Sequence, residues 1–121
     1  MRRREFLLAA AAVVATGAST HGEEAWPSRN VSVIVPFSAG GTTDMFARLF
    51  AQGMQEKYKP PFVVENKAGA GGTLGAAWVA RARPDGYTLL VGTASTQAIA
   101  PFVYKDPRYD ADKDFVAISL F

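Results

Sequence analysis

The 121-residue chain contains no cysteine and a single histidine, His21. Without cysteine there can be no disulfide, no thiolate metal site, no cysteine nucleophile and no lipid anchor attached to a cysteine. The histidine lies in a polar stretch before the first predicted strand, so no serine of the predicted domain has an imidazole to act as its base. We therefore expect no enzyme activity, no catalytic residue, no bound metal and no cofactor.

The chain also lacks a hydrophobic run long enough to span a bilayer. Three arginines at positions 2–4 precede an apolar stretch over residues 6–15, and small residues follow at 16–19. About ten apolar residues are too few for a transmembrane helix. The pattern instead predicts an export signal over residues 1–19, of either the twin-arginine or the general secretory type. We expect the signal to be cleaved and the protein to be periplasmic.

A basic patch is missing as well. The chain has 13 Lys+Arg and 11 Asp+Glu, and removal of the signal with its three arginines and Glu5 leaves ten of each. The positive charge therefore belongs to the targeting segment. With no basic stripe in the remaining chain, we expect no nucleic-acid partner.

The stretch from residue 31 to residue 57 carries the strongest pattern. An apolar, β-branched run at 31–37 predicts a buried strand, and a loop at 38–44 contains two adjacent glycines. A helical pattern then runs from Met45 to Lys57. The helix face that we expect to pack on the sheet comprises Met45, Phe46, Leu49, Phe50 and Met54. Thr42, Thr43 or Asp44 is expected to cap this helix.

The remainder of the chain repeats the strand, loop and helix. Residues 20–30 predict a polar tail interrupted by Pro27. Further strands are predicted at 62–65, 87–92 and 115–121, and further helices at 73–82 and 97–104. Alternating strands and helices indicate an α/β fold with a parallel sheet and right-handed crossovers.

Ligands of open α/β sheets bind where the strands end, and three loops are predicted to meet there. The N-terminus of a helix presents unpaired N–H groups and the positive end of the peptide dipoles, so an anion can bind without a basic side chain. We therefore predict a carboxylate site. Asp44 is predicted to organise the loop first and to bind a ligand amino group second. The candidate ligand-binding residues are Ser38, Ala39, Gly40, Gly41, Thr42, Thr43, Asp44, Gly69, Ala70, Gly71, Gly72, Thr93, Ser95 and Thr96.

Two other motifs compete with this interpretation. The glycines at 69–75 follow a strand, but the third glycine of a dinucleotide fingerprint would fall at Leu74, and no P-loop lysine is present. An α/β enzyme domain that binds a nucleotide or phosphate therefore remains only an alternative. Asp110, Asp112 and Asp114 alternate as in a calcium loop, but phenylalanine occupies the positions of the required glycine and glutamate.

Four segments, at 33–44, 64–72, 84–90 and 109–115, resemble in order the N-terminal half of the tripartite tricarboxylate transporter substrate-binding proteins, the Bordetella uptake gene family. The resemblance covers residues 26–121. It implies the first lobe of a type II periplasmic binding protein, in which two lobes close over a small organic carboxylate. It further implies recognition mainly through backbone groups and bridging waters, and delivery to a large and a small membrane subunit.

Members of that family are considerably longer than this chain. Residues 31–121 are accordingly predicted to form a partial ligand-binding lobe that stops at the crossover to the second lobe. A truncated fragment without binding activity is therefore a further alternative.

Overall fold

The computed structural model describes residues 25–121, and the predicted export signal and His21 lie outside them. The strands are β1 (Val31–Val35), β2 (Phe62–Asn66) and β3 (Thr88–Leu90), and the helices are α1 (Thr42–Lys57), α2 (Thr73–Ala80) and α3 (Ala100–Val103). A 3-10 turn at Ala70–Gly72 precedes α2, and a π-helical turn at Ser95–Ile99 precedes α3. None of the helices in this part of the chain is long and apolar enough to cross a membrane.

The three strands form one parallel sheet in the order β2-β1-β3. Val31 lies opposite Phe62 on one side, and Ser32 lies opposite Thr88 on the other. The central strand is almost pure Val and Ile because both of its faces are covered, as is usual for parallel sheets. The predicted α/β fold with a parallel sheet is confirmed.

The helices α1 and α2 cover opposite faces of the sheet. Val31, Val33 and Val35 pack against Ala47 and Ala51 of α1. Successive side chains of a strand alternate between faces, so Ile34 points the other way, as does its neighbour Leu90, which packs against α2. The first crossover runs from β1 to β2, and the second returns from β2 past β1 to β3. The direction of the connections therefore reverses beside β1, the position where open α/β sheets form ligand crevices.

The predicted buried face of α1 is wrong. Ala47 and Ala51 face the sheet, whereas Met45, Phe46 and Leu49 are 61%, 49% and 59% exposed. Small alanines let the helix lie close to the sheet, and the larger apolar side chains are turned outward. Of the predicted face, only Phe50 and Met54 pack against the core.

The predicted fourth strand is also wrong, since residues 115–121 form no strand. Phe115 packs edge-on against Tyr109 at 5.8 Å between ring centroids, and Val116, Ile118 and Leu120 are exposed. An apolar run becomes a strand only when its backbone finds a partner edge, and this one does not pair with the sheet. The predicted helix at 97–104 is present, and it consists of the end of the π-helical turn followed by α3 through Val103.

The end of the predicted polar tail is fixed to the domain. Residues 26–30 lie at the amino ends of the strands, where Trp26 Nε1 donates to the Gly86 carbonyl at 3.0 Å. The Ser28 amide donates to the Tyr87 hydroxyl, and Arg29 pairs with Asp85 at 3.1 Å. This segment therefore belongs to the folded unit.

Candidate functional site

Three loops meet at the carboxyl ends of the strands: loop 1 (residues 36–41), loop 2 (residues 67–72) and loop 3 (residues 91–96). Ser95 Oγ of loop 3 donates to the Gly71 carbonyl of loop 2 at 2.9 Å. Gly72 packs between the Phe37 ring of loop 1 and Thr96, because a Cβ there would lie 3.0 Å and 2.7 Å from their nearest carbons. The loops that the sequence predicted at one edge are therefore in contact.

Loop 1 leads directly into α1. Gly40 adopts φ +87°, a left-handed conformation that favours glycine, whereas Gly41 has φ −79° and ψ 174°, which any residue can adopt. The helix begins at Thr42 with Gly41 as its N-cap, and no side chain caps it. The predicted capping by Thr42, Thr43 or Asp44 is therefore wrong, because these residues already lie within the helix.

Asp44 organises loop 1 from inside the first turn of α1. Its side chain is only 4% exposed, and one carboxylate oxygen accepts from the Gly40 amide and from Arg48 Nε, both at 2.9 Å. The other oxygen accepts from Asn66 Nδ2 at 2.9 Å. Both carboxylate oxygens are therefore already hydrogen-bonded to donors of the protein itself, and these bonds hold loop 1 in place. Its binding to a ligand amino group stays a prediction that this geometry does not favour.

The donors around Asp44 shift its titration. Hydrogen bonds from Arg48, from the Gly40 amide and from Asn66 together lower the pKa of Asp44 to about 2, because each favours the ionised form. An unperturbed aspartate in the unfolded chain has a pKa of about 3.9. Folding is therefore linked to the ionisation of this carboxylate.

A pH dependence follows from that linkage. The stability that Asp44 contributes is fully present above about pH 4 and is lost as the pH falls towards about 2. We expect the Tm of the wild type to fall over this window more steeply than that of Asp44→Asn, which cannot ionise. Thermal melts at half-unit pH steps measure the difference. Parallel curves for the two proteins would contradict the assigned role.

The amides that open α1 are unoccupied. The first helical bond runs from the Met45 amide to the Gly41 carbonyl at 3.0 Å. The backbone N–H groups of Gly41, Thr42 and Thr43 have no acceptor within residues 25–121. The hydroxyls of Ser38, Thr42 and Thr43 form no hydrogen bond with these residues either. Loop 1 thus presents donors at the positive end of α1, where an anion is favoured.

Loop 2 is different, because its own carbonyls occupy the amides that begin α2. The Gly69 carbonyl accepts from the Gly72 amide at 3.0 Å and from the Leu74 amide at 3.5 Å. The Ala70 carbonyl accepts from the Thr73 amide and from Thr73 Oγ1. The geometry gives loop 2 a packing role, and ligand binding by Gly69, Ala70, Gly71 and Gly72 stays a prediction.

The two threonine side chains of loop 3 are hydrogen-bonded within the loop. Thr96 is fully buried, and its hydroxyl accepts from the Thr93 amide at 3.0 Å and donates to the Thr93 carbonyl at 3.1 Å. The Tyr109 hydroxyl donates to the Thr96 carbonyl, and burial raises the pKa of Tyr109. Ligand contacts from Thr93, Ser95 and Thr96 therefore stay predictions. The Ala94 and Ser95 amides of this loop, like the amides at the start of α1, have no acceptor within residues 25–121. In the described part of the chain, no group of three or more His, Cys, Asp or Glu residues could hold a metal ion.

Comparison with known proteins identifies the family. A model of the tripartite tricarboxylate transporter family receptor matches residues 46–121, which is more than half of the chain. The chain belongs to this receptor family. The family is one of solute receptors, and this confirms the prediction that the chain is not an enzyme.

Two relatives come from Bordetella pertussis. A UPF0065 protein is 41% identical over 105 residues, which cover 87% of this chain and 32% of the relative. The protein BugT is 38% identical over 98 residues, covering 80% of this chain and 30% of the relative. The chain thus spans about a third of the length of the curated relatives that it matches.

Solved receptors share the fold. MatC from Rhodopseudomonas palustris, solved with bound malate, superposes with a TM-score of 0.70 at 47% identity, over 74% of this chain and 30% of MatC. A second R. palustris protein, solved with adipate, gives 0.70 at 44% identity over 72% of this chain and 29% of its own. The periplasmic binding protein BugD gives 0.67 at 46% identity over 74% and 30%. The chain therefore has the fold of the matched part of periplasmic binding proteins, as the family resemblance implied.

Two residues of this candidate site are absent from the residues predicted from the sequence. Arg48 lies outside the predicted packing face of α1, yet its Nε donates to the buried Asp44 carboxylate. The predicted second strand ends at residue 65, but Asn66 is the last residue of β2, and its side chain reaches loop 1. An asparagine at the carboxyl end of a strand beside the predicted ligand loop is the signal that could have identified it.

Proposed function

We propose that this protein is the periplasmic solute-binding receptor of a tripartite tricarboxylate-type transporter. Its ligand is a small organic carboxylate that binds at loop 1 through the amides of Gly41, Thr42 and Thr43. The observation that carries this proposal is the row of three unoccupied N–H groups at the start of α1. Family membership and the malate and adipate found in two solved relatives support it.

The geometry suits a carboxylate for electrostatic reasons. Two or three aligned N–H donors and the positive end of a four-turn helix stabilise one negative group. The charge of Asp44 is balanced by Arg48, so Asp44 adds no net repulsion of a carboxylate ligand at the start of α1. The hydroxyls of Ser38, Thr42 and Thr43 supply further donors, which can also act through a bridging water.

The remaining contacts come from other parts of the receptor. We infer that Gly71 of loop 2 and Ser95 of loop 3, which are joined by a hydrogen bond, line the site beside loop 1. The match covers only 29% and 30% of two solved relatives, and we infer that the part outside the match closes over the ligand. The match to a transporter family receptor supports the further proposal that the ligand is transferred to a large and a small membrane subunit.

Gly41 offers a test that separates folding from binding. Its backbone conformation is open to any residue, and an added Cβ would meet only the Ser38 carbonyl at an ordinary 3.6 Å. We expect Gly41→Leu to lower the free energy of unfolding by only about 1 kcal/mol, because leucine is a poorer N-cap residue than glycine. The leucine should nevertheless cover the amide row, and so abolish the rise in Tm that a carboxylate gives to the wild type.

The measurement is a thermal-shift panel of mono- and dicarboxylates, including malate and adipate, run on the wild type and on Gly41→Leu. Leu replacing Gln52, an exposed position farther along α1, serves as the control, and it should keep the ligand response. A nucleotide panel run beside it tests the alternative of a phosphate-binding domain. Stabilisation by nucleotides alone, or an undiminished carboxylate response in Gly41→Leu, would contradict the proposal.

A further inference from the structure

Asn66 connects the sheet to loop 1. It is the last residue of β2 and lies opposite Val35, the last residue of β1. Its side-chain nitrogen Nδ2 donates to the Phe37 carbonyl at 3.1 Å and to Asp44 Oδ1 at 2.9 Å. One amide group therefore contacts the loop just after β1 and the helix that follows it.

The contacts of Asn66 and Asp44 join into one network. Asp44 Oδ2 accepts from the Gly40 amide, so the loop is tied at Phe37 by Asn66 and at Gly40 by Asp44. Arg48 Nε donates to the same oxygen and balances its charge. The unoccupied amides begin at Gly41, immediately after the second tie. The orientation of these amides therefore depends on the two hydrogen bonds that fix loop 1 at Phe37 and at Gly40.

We propose that Asn66 is a positioning residue for carboxylate binding: by bridging the Phe37 carbonyl and Asp44, it holds loop 1 in the conformation that presents the Gly41, Thr42 and Thr43 amides. The inference rests on the proposed function, since it assumes that the ligand binds at those amides. Asn66 acts through its two partners and does not touch the ligand.

The chemistry of the position explains why an amide is suited to it. An asparagine NH₂ group has two hydrogens and can donate to two acceptors at once, and it carries no charge. An aspartate there would have no donor at neutral pH, and its carboxylate would face that of Asp44. An alanine would leave the Phe37 carbonyl and Asp44 Oδ1 without this donor. The neighbouring Glu65 makes a different contact, accepting from Ser32 Oγ at 3.2 Å, away from loop 1.

The test compares Asn66→Asp and Asn66→Ala with the control Glu65→Gln. Affinities for malate and adipate are measured by calorimetry at pH 7.5 and pH 5 and expressed as ratios to the wild type at each pH, which cancels the ionisation of the ligand. We expect both Asn66 variants to bind about tenfold more weakly at pH 7.5, as befits the loss of a hydrogen bond to a charged group. Glu65→Gln should bind like the wild type.

The Asn66→Asp variant has a second signature. Two facing carboxylates raise each other's affinity for a proton, so at pH 5 either Asp44 or the introduced carboxylate should be protonated and become a donor again, with Arg48 still present. We expect Asn66→Asp to regain most of its affinity at pH 5, whereas Asn66→Ala should not. Unchanged affinity in both variants, or an equal loss at both pH values that follows the loss of Tm, would overturn the proposal.

Amide hydrogen exchange without ligand separates this inference from the proposed function. If Asn66 positions loop 1, the Gly40 amide should exchange faster in both Asn66 variants than in the wild type and in Glu65→Gln. A wild type that binds neither diacid, with Gly40 exchange still dependent on Asn66, would count against the carboxylate site while supporting the positioning of the loop. Gly40 exchange unaffected by Asn66 would overturn the positioning role.

Discussion

Replacing Gly75 with alanine is expected to lower the free energy of unfolding by about 3 kcal/mol. Gly75 lies in the first turns of α2, where the helix passes directly over loop 1. A Cβ there would lie 2.8 Å from the Lys67 carbonyl oxygen and 2.9 Å from Pro36 Cα. Both neighbours are backbone atoms at the ends of β1 and β2, so relief of the clash would require the helix to move away from the sheet.

The same substitution at Gly53 is the matched control. Gly53 lies within α1, is exposed, and would have nothing within 4 Å of an added Cβ. Alanine is favoured over glycine inside a helix by about 1 kcal/mol, so Gly53→Ala should raise the stability. Chemical denaturation of both variants measures the two effects. Equal changes in both would show that α2 does not approach loop 1 as closely as the geometry indicates.

Replacing Trp26 with alanine is expected to cost about 3 kcal/mol. Its ring makes edge contacts with Tyr58 and Phe62, at 5.6 Å and 6.0 Å between centroids, and its Nε1–H is bonded to the Gly86 carbonyl. The substitution therefore removes an aromatic cluster and leaves that carbonyl without its donor. Residues 26–30 should detach together, because the Ser28 and Arg29 contacts depend on the same placement of the chain.

Trp78 provides the control, because both tryptophans are 39% exposed. Trp78 lies on α2, and the interaction found for its ring is with the Lys67 ammonium at 4.3 Å. Trp78→Ala should be less destabilising than Trp26→Ala by about 1–2 kcal/mol, the value of the edge contacts and one hydrogen bond. Urea denaturation followed by circular dichroism compares them. A larger loss for Trp78→Ala would contradict the assigned role of residues 26–30.

The sequence was most informative where a local pattern and the tertiary packing agree. The β-branched run at 31–35 forms the central strand, and the glycine loop after it leads into α1 as predicted. The alternation of strands and helices was sufficient to predict a parallel sheet. These features depend on short stretches of chain, so they could be read without knowing what packs against them.

The orientation of α1 could not be read in this way. The hydrophobic stripe containing Met45 and Leu49 has the spacing of a buried face, but the sheet is contacted by Ala47 and Ala51. Alanine contributes little to a hydrophobic pattern because its side chain is small, but that small side chain lets a helix lie close to a sheet. The run at 115–121 failed for a related reason, because its composition favours a strand, but pairing depends on an available edge.

The candidate site shows the same limit at the level of single groups. Two glycine loops precede helices, and their sequence patterns look alike. The carbonyls of Gly69 and Ala70 accept hydrogen bonds from the amides that begin α2, whereas the amides after Gly41, which begin α1, have no acceptor in the described residues. The fully bonded state of Asp44 depends on Asn66, which is 22 positions away along the chain. Hydrogen-bond partners of that kind emerge only from the folded arrangement.

The order β2-β1-β3 also bears on how the domain folds. The outer strands each pair with β1 and not with one another, so every backbone ladder requires contacts between distant parts of the chain. Such long-range closures make folding slow compared with that of helical proteins. Since β1 is one of the two strands in both ladders, no part of the sheet can form without the strand that leads into loop 1.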